Sequence, residues 1–320
     1  MKFNNKSFLD YKIFFIEGLF MSKIKNQTKD ELLKSQEILQ PKNDVVFKAL
    51  FTRGKESITK AFLEDILKIK IDKLDVDKSK DLYNDNPRDK NGMLDLRAVI
   101  NENVECNIEM QLVPHEKMIE RFLYYWAKIY TANLDVGDSY TKLRKTISII
   151  IVDSEMPNLK EIQKAHTKWQ IREEENSTIV LTSYLEFHII EVPKAIKEYA
   201  KSPQDTVLQW MMFLDNPNKE EVTKIMEKNE DIKEAKEELN QLSKDEVLRR
   251  IALKEKLLRM DINQAKADAE EYGREKGRAE ATKETKEEIV KKMYEIDITV
   301  EHIAKVVNLE VSEVKKILNL

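Results

Sequence analysis

From residue 104 to 112 apolar and polar positions alternate. Val104, Cys106, Ile108, Met110 and Leu112 fall on one side, and Glu105, Asn107, Glu109 and Gln111 on the other. A period of two predicts a half-buried β-strand. A second alternating run, "MLDLRAVI", precedes it across Asn101-Glu102-Asn103, so the pair reads as a β-hairpin. Upstream, "IKIDKLDVD" alternates as a short strand, and "PKNDVVFKALFTRGKESITKAFLEDILK" places its apolar residues at helical spacing on either side of Gly54. Downstream, "PHEKMIERFLYYWAKIYTANL" predicts a helix whose core stripe is Leu123, Trp126, Ala127 and Tyr130. "KTISIIIVDS" is nearly continuous in apolar residues, as in a strand buried on both faces. The order helix, three strands, helix, strand predicts an α/β core with a mixed sheet.

Beyond residue 154 the pattern predicts one or two strands in "STIVLTSYLEFHIIEV" and a helix in "DTVLQWMMFLD". From about 217 to 292 the text is rich in Lys and Glu and poor in Gly, which predicts a long charged α-helical region with a solvated face. The last thirty residues predict a helix-turn-helix-like unit, with Ser312 as N-cap of the final helix. Glu310 and Glu313 in that helix weigh against major-groove reading and favour a protein-docking module, or a contact through which the chain forms a homo-oligomer. The expected organisation is an N-terminal extension over 1–40, a principal domain over 41–215 with its core at 41–153, a charged helical region over 216–290 and a small unit over 291–320.

The hairpin carries the candidate chemistry. A turn centred on Glu102 pairs residues whose numbers sum to 204, which sets Asp95 opposite Glu109, Arg97 opposite Asn107 and Val99 opposite Glu105. Only an even sum puts the apolar positions of both strands on one face. Opposed residues lie about 5 Å apart at Cβ, and like charges there destabilise a sheet. A divalent cation held by carboxylate oxygens removes that repulsion, with Mg²⁺ the usual occupant where substrate phosphate completes the shell. Such an ion acidifies bound water, and Gln111 stands where it could align that water. The plainer reading is an acidic edge hairpin with Arg97 as its salt-bridge partner.

Composition narrows the field. Charged residues make up 36% of the chain and apolar ones 41%, with 6 Gly and 7 Pro, a balance that favours long exposed helices. Net charge is −4, and the stretch 41–153 has equal numbers of each sign, so any nucleic-acid site must be local rather than a bulk field. Cys106 is the one cysteine, which excludes a disulfide framework and a thiolate zinc site and fits a reducing cytoplasm. No run reaches the roughly 18 apolar residues of a membrane span. Asp10, Lys12 and Glu17 interrupt the apolar N-terminus, which therefore reads poorly as a signal peptide. Residues 1–20 read equally as part of the chain or as an upstream extension of the reading frame.

Several blocks in order, "PKNDVVFKALF", "FLEDIL", "LDLRAVINENVECNIEMQL" and "RFLYYWAKIYTANLDVGDSYTKLRKTISIIIVD", resemble the PD-(D/E)XK nuclease family of transposase-associated proteins, the Rpn-like recombination-promoting nucleases. The resemblance is close over about 41–153 and looser to the C-terminus. It implies a restriction-endonuclease-like αβββαβ core and Mg²⁺-dependent cleavage of DNA, with Mn²⁺ or Ca²⁺ as other possible ions. It assigns the motif Asp to Asp95, the Glu-x-Gln/Lys pair to Glu109 and Gln111, and a further metal ligand to the carbonyl of Met110. Asp44 falls at the family's first-helix acid, an accessory site residue unless it is an N-cap, and Lys48 reads as a phosphate contact or a solvated lysine. Arg121 and Lys128, seven apart on the second helix, are the other candidate DNA contacts. Many enzymes of this fold have Lys where this chain has Gln111, which keeps open a second reading as a DNA- or protein-binding factor with little or no turnover.

Overall fold

A computed structural model of the chain describes residues 37–77, 96–112, 117–132 and 134–320. Asp95, the N-terminal extension up to residue 36 and Asn133 lie outside the described residues. The chain divides into two units, one ending at Lys254 and one running from Glu255 to Leu320.

In the first unit, helices α1 (Asp44–Thr52) and α2 (Glu56–Leu67) precede strands β1 (Leu74–Val76), β2 (Leu96–Ile100) and β3 (Val104–Gln111). Helix α3 (Met118–Thr131) leads to β4 (Lys145–Val152), β5 (His166–Trp169) and β6 (Leu185–Glu191). Helices α4 (Val192–Tyr199), α5 (Thr206–Asp215), α6 (Glu220–Met226) and α7 (Glu230–Leu242) follow, and α8 (Glu246–Glu295) begins here. The six strands form one mixed sheet in the order β1-β2-β3-β4-β6-β5. Strands β3, β4 and β6 run parallel at its centre, and β1, β2 and β5 are antiparallel to their neighbours. This is the mixed αβββαβ core the pattern predicts, and it is consistent with the PD-(D/E)XK fold.

The hairpin register matches the count. Arg97 pairs with Asn107, Val99 with Glu105, and the described ladder ends at Leu96 opposite Ile108. The turn has left-handed backbone at Asn101 (φ 47°) and Glu102 (φ 65°). Asn tolerates that region by local hydrogen bonding. Here the Asn101 side chain accepts from the backbone N–H of Asp72 and Lys73, while Lys73 pairs with Glu102 at 2.6 Å.

The sheet's two faces are covered differently. One meets α1, α2, α4, α5 and α7 through the main core, where Phe47, Phe51, Phe62 and Trp210 form an aromatic cluster. The other lies under α3, against Met118 and Phe122. That helix is rotated from its predicted stripe: Met118, Phe122 and Ile129 are buried, whereas Leu123 is 45% exposed and Ala127 is exposed. Phe122 and Leu123 are adjacent apolar residues, so two faces were available, and the larger ring took the interior.

Two further differences concern strands and charge. Strand β5 has no alternating apolar signal, and residues 178–184 form no strand, contributing one bridge between Arg172 and Val180. The Lys/Glu-rich text after 217 is not all solvated either, because Val222, Ile225, Ile232, Ala235 and Leu239 complete the main core.

The second unit contains the rest of α8 with α9 (Val300–Val307) and α10 (Val311–Leu318) around Val290, Ile303, Val307 and Val314. Asn308, left-handed at φ 53°, ends α9. Glu310, not Ser312, caps α10, in a reciprocal box with Glu313. A carboxylate can accept from the N3 amide as a hydroxyl does, and it also faces the positive end of the helix. Among the described residues no helix is long and apolar enough to cross a membrane.

Candidate active site around Glu109

Strand β3 is buried on both faces, so its polar side chains Glu105, Asn107 and Glu109 lie under α3 rather than in water. Buried polar groups need partners. Glu105 accepts from Arg97 at 3.3 Å and Arg144 at 3.0 Å, and Asn107 accepts from the Ser148 hydroxyl at 2.6 Å. Glu109 differs. Its neighbour on β4 is Ile150, and its Oε2 accepts no hydrogen bond among the described residues. The Arg121 guanidinium stands 3.9 Å from that oxygen.

Burial therefore disfavours the charged carboxylate more than Arg121 favours it, and the pKa of Glu109 rises to about 7. A carboxyl that titrates near neutrality in an enclosed site is a functional signal with a physical cause. Arg97, the salt-bridge partner of the plainer reading, is engaged by Glu105 instead.

The site sits at the carboxyl end of the parallel pair β3–β4, where open α/β sheets bind ligands. The Gln111 carbonyl accepts from the backbone N–H of Asp153 at 2.9 Å, so it points toward β4. Successive carbonyls of a strand point to opposite edges. That of Met110 is therefore directed to the β2 edge, past the last described pair Leu96–Ile108. The Met110 side chain is buried in the main core on the other face.

Helix α1 starts at the same end of the sheet. Lys42, two residues before it, bonds Asp153 at 2.9 Å and Asp215 at 3.1 Å. Burial lowers the lysine's proton affinity, but the two carboxylates outweigh it and raise its pKa. Asn43, not Asp44, is the N-cap, accepting from the N–H of Val45 and Val46. Asp44 occupies the first turn, and Lys48, one turn later on the same face, is buried at 9% exposure rather than solvated. On α3, Arg121 reaches Glu109, while Lys128 is exposed with its ammonium over the Tyr124 ring.

Glu109 and Arg121 are thus brought together, and the backbone of Gln111 is tied to Asp153 and through it to Lys42. Sequence reasoning missed Lys42 and Asp153. The signal was present in the Asp that closes "KTISIIIVD", at the carboxyl end of a buried strand. Among the described residues no three His, Cys, Asp or Glu side chains converge as a metal site. The donors that are described suit a hard divalent ion: a carboxylate oxygen buried without a hydrogen bond, on a group whose ionisation such an ion would favour, and a neighbouring carbonyl directed to the same end of the strand.

No curated protein and no solved structure matches the chain. The family model described as "PD-(D/E)XK nuclease family transposase" matches residues 41–269, from the start of α1 well into α8. With the mixed sheet and the buried Glu109 at the end of its central strand, this match places the chain in the PD-(D/E)XK nuclease family transposases.

Proposed function

We propose that the protein is a divalent-metal-dependent endonuclease that hydrolyses phosphodiester bonds in DNA, in the service of recombination or a mobile element. The observation that carries this reading is Glu109. Of three buried polar side chains on one strand face, it is the one with an oxygen that no hydrogen bond from the described residues satisfies. Asp95 and Glu109 would hold Mg²⁺ with the carbonyl of Met110. When bound, the ion acidifies water and shields charge on the phosphoryl oxygens.

The chain's own groups supply the rest. The carboxamide oxygen of Gln111 accepts a hydrogen bond from the attacking water and aligns it for in-line attack. Arg121, partly exposed at the rim, turns its remaining N–H groups to a phosphate oxygen. Asp44 acts as an accessory acid, and Lys48 and Lys128 serve as phosphate contacts.

Gln111 also favours a second reading, a DNA- or protein-binding factor with slow or absent turnover, because an amide cannot supply the positive charge of a lysine. Incubating supercoiled plasmid with purified protein separates the two. Nicking that requires Mg²⁺, stops in EDTA and is lost in both Asp95→Ala and Glu109→Ala is expected. Wild-type protein that cuts no better than these variants across metals and pH would overturn the nuclease reading.

A further inference from the structure

A cleft of about 790 Å³ opens at the opposite end of β3 and β4 from Gln111, lined by Asn103, Lys142, Arg144, Lys145 and Tyr184. Three cations line it, Lys142, Arg144 and Lys145, and two of the carboxylates they meet are shared with a further cation outside the lining. Arg97 and Arg144 share Glu105, Lys145 and Lys168 share Glu186, and Lys142 pairs with Asp138. Counting Arg97 and Lys168 beyond the lining, five cations meet three acids, and both Glu105 and Glu186 are buried, so the surroundings of the cleft carry surplus positive charge.

The cleft also has an aromatic wall. Tyr184, 42% exposed, meets Tyr130 edge-on with ring centres 6.4 Å apart, and Tyr130 stacks on Trp126 at 4.9 Å. Trp126 is fixed by its indole N–H, which donates to the Thr146 carbonyl at 2.9 Å. This bond sets the C-terminal half of α3 over the start of β4, while Arg121 in its first half meets Glu109 at the other end of β3. Helix α3 therefore connects the two places. The nine helical steps from Arg121 to Tyr130 span ~13 Å.

An exposed ring backed by other rings, beside surplus Lys and Arg, is how proteins hold an unpaired strand, because every base offers a stacking face and every nucleotide a phosphate. A base inside a duplex has both faces occupied and could not use Tyr184. We infer that this cleft binds a single-stranded segment of DNA that continues along α3 from the strand held at Glu109. The protein then prefers substrates with an unpaired strand next to the scissile bond, such as a flap or an opened end. This inference rests on the proposed nuclease function for its purpose, but not for its test.

The test is fluorescence anisotropy of a labelled twelve-residue oligo-dT with the full chain in EDTA, titrated across salt and compared with a duplex of equal length. The expected result is tighter binding of oligo-dT than of the duplex. Tyr184→Ala should weaken it at least about fivefold, and Tyr184→Phe should restore it. Lys142→Gln and Arg144→Gln should each reduce the log–log salt slope by about 0.7. Equal affinity for duplex and oligo-dT, or Tyr184→Ala binding as wild type does, would overturn the inference. Glu109→Ala should bind normally. Wild-type protein that does not nick plasmid while these binding effects hold would therefore remove the nuclease reading and leave the cleft standing.

Discussion

Glu109 and Arg121 face each other across the seam between β3 and α3, with 3.9 Å between carboxylate and guanidinium and, among the described residues, no hydrogen bond to the nearer oxygen. The pair is too long to neutralise the acid fully and close enough to respond to its charge. Four expectations follow from this contact and from one other buried pair.

Stability without metal should fall as pH rises. The carboxyl of Glu109 binds its proton more tightly folded than unfolded, with a pKa of about 7 against 4.5. Its contribution is therefore fully present below about 4.5 and is lost as pH climbs through 7. The difference corresponds to roughly 3 kcal/mol at alkaline pH. Urea unfolding in EDTA at pH 5 and 8 should register it. Glu109→Gln should flatten the dependence and be the more stable protein at pH 8.

Divalent metal should reverse that slope. Metal binds the ionised carboxylate and must displace the proton, so its affinity should rise with pH up to about 7 and level off above. Mg²⁺ or Mn²⁺ should raise Tm at pH 8 far more than at pH 5.5, and Asp95→Ala or Glu109→Gln should abolish the gain. An equal gain in the variants would place the ion elsewhere.

Arg121→Ala should move the pH midpoint upward. Among the described residues the guanidinium is the group that lowers the pKa of Glu109 against burial. Removing it should shift the metal-affinity curve to higher pH, while Arg121→Lys should shift it less. Calorimetric titration with Mn²⁺ at several pH values reads the displacement directly.

A second buried pair should be purely structural. Glu191, fully buried, bonds Lys194 at 2.6 Å and accepts from the N–H of Met156, while the same ammonium donates to the carbonyls of Leu159 and Ile162. Lys194→Met leaves a carboxylate and two carbonyls without their donor and should cost about 3–5 kcal/mol. Adding Glu191→Gln should recover part of that loss, as a double-mutant cycle in urea would measure. Metal affinity at Glu109 should stay unchanged.

The hairpin was legible because its alternation required an even sum and the polar residues 101–103 centred the turn on Glu102. A one-residue slip would have put Leu96 and Ala98 of β2 on the opposite face from Cys106 and Ile108 of β3. Strand β5 was not, since "HTKW" has no apolar period and is ordered by tertiary bonds such as that between His166 and His188 at 2.8 Å. Glu109 could be singled out by pleat and family resemblance. Its unsatisfied oxygen could not, because that depends on Arg97 turning to Glu105 and on Ile150 lying next door. Lys42 and Asp153 were hidden by the more than one hundred residues between them.

The pairing of β3 has one more consequence. It is bonded to β4 along its whole length and to β2 over five residues, so its amides should be among the last in the molecule to exchange with deuterated solvent. The acid that titrates near neutrality thus stands on a backbone that opens only when the sheet itself comes apart. Helix α3 meets the sheet through side chains, among them Met118, Phe122 and Trp126, the Arg121–Glu109 contact and the Trp126 indole bond. Access to Glu109 should accordingly be gated by breathing of that helix, on a timescale of its own, while the strand beneath keeps its place.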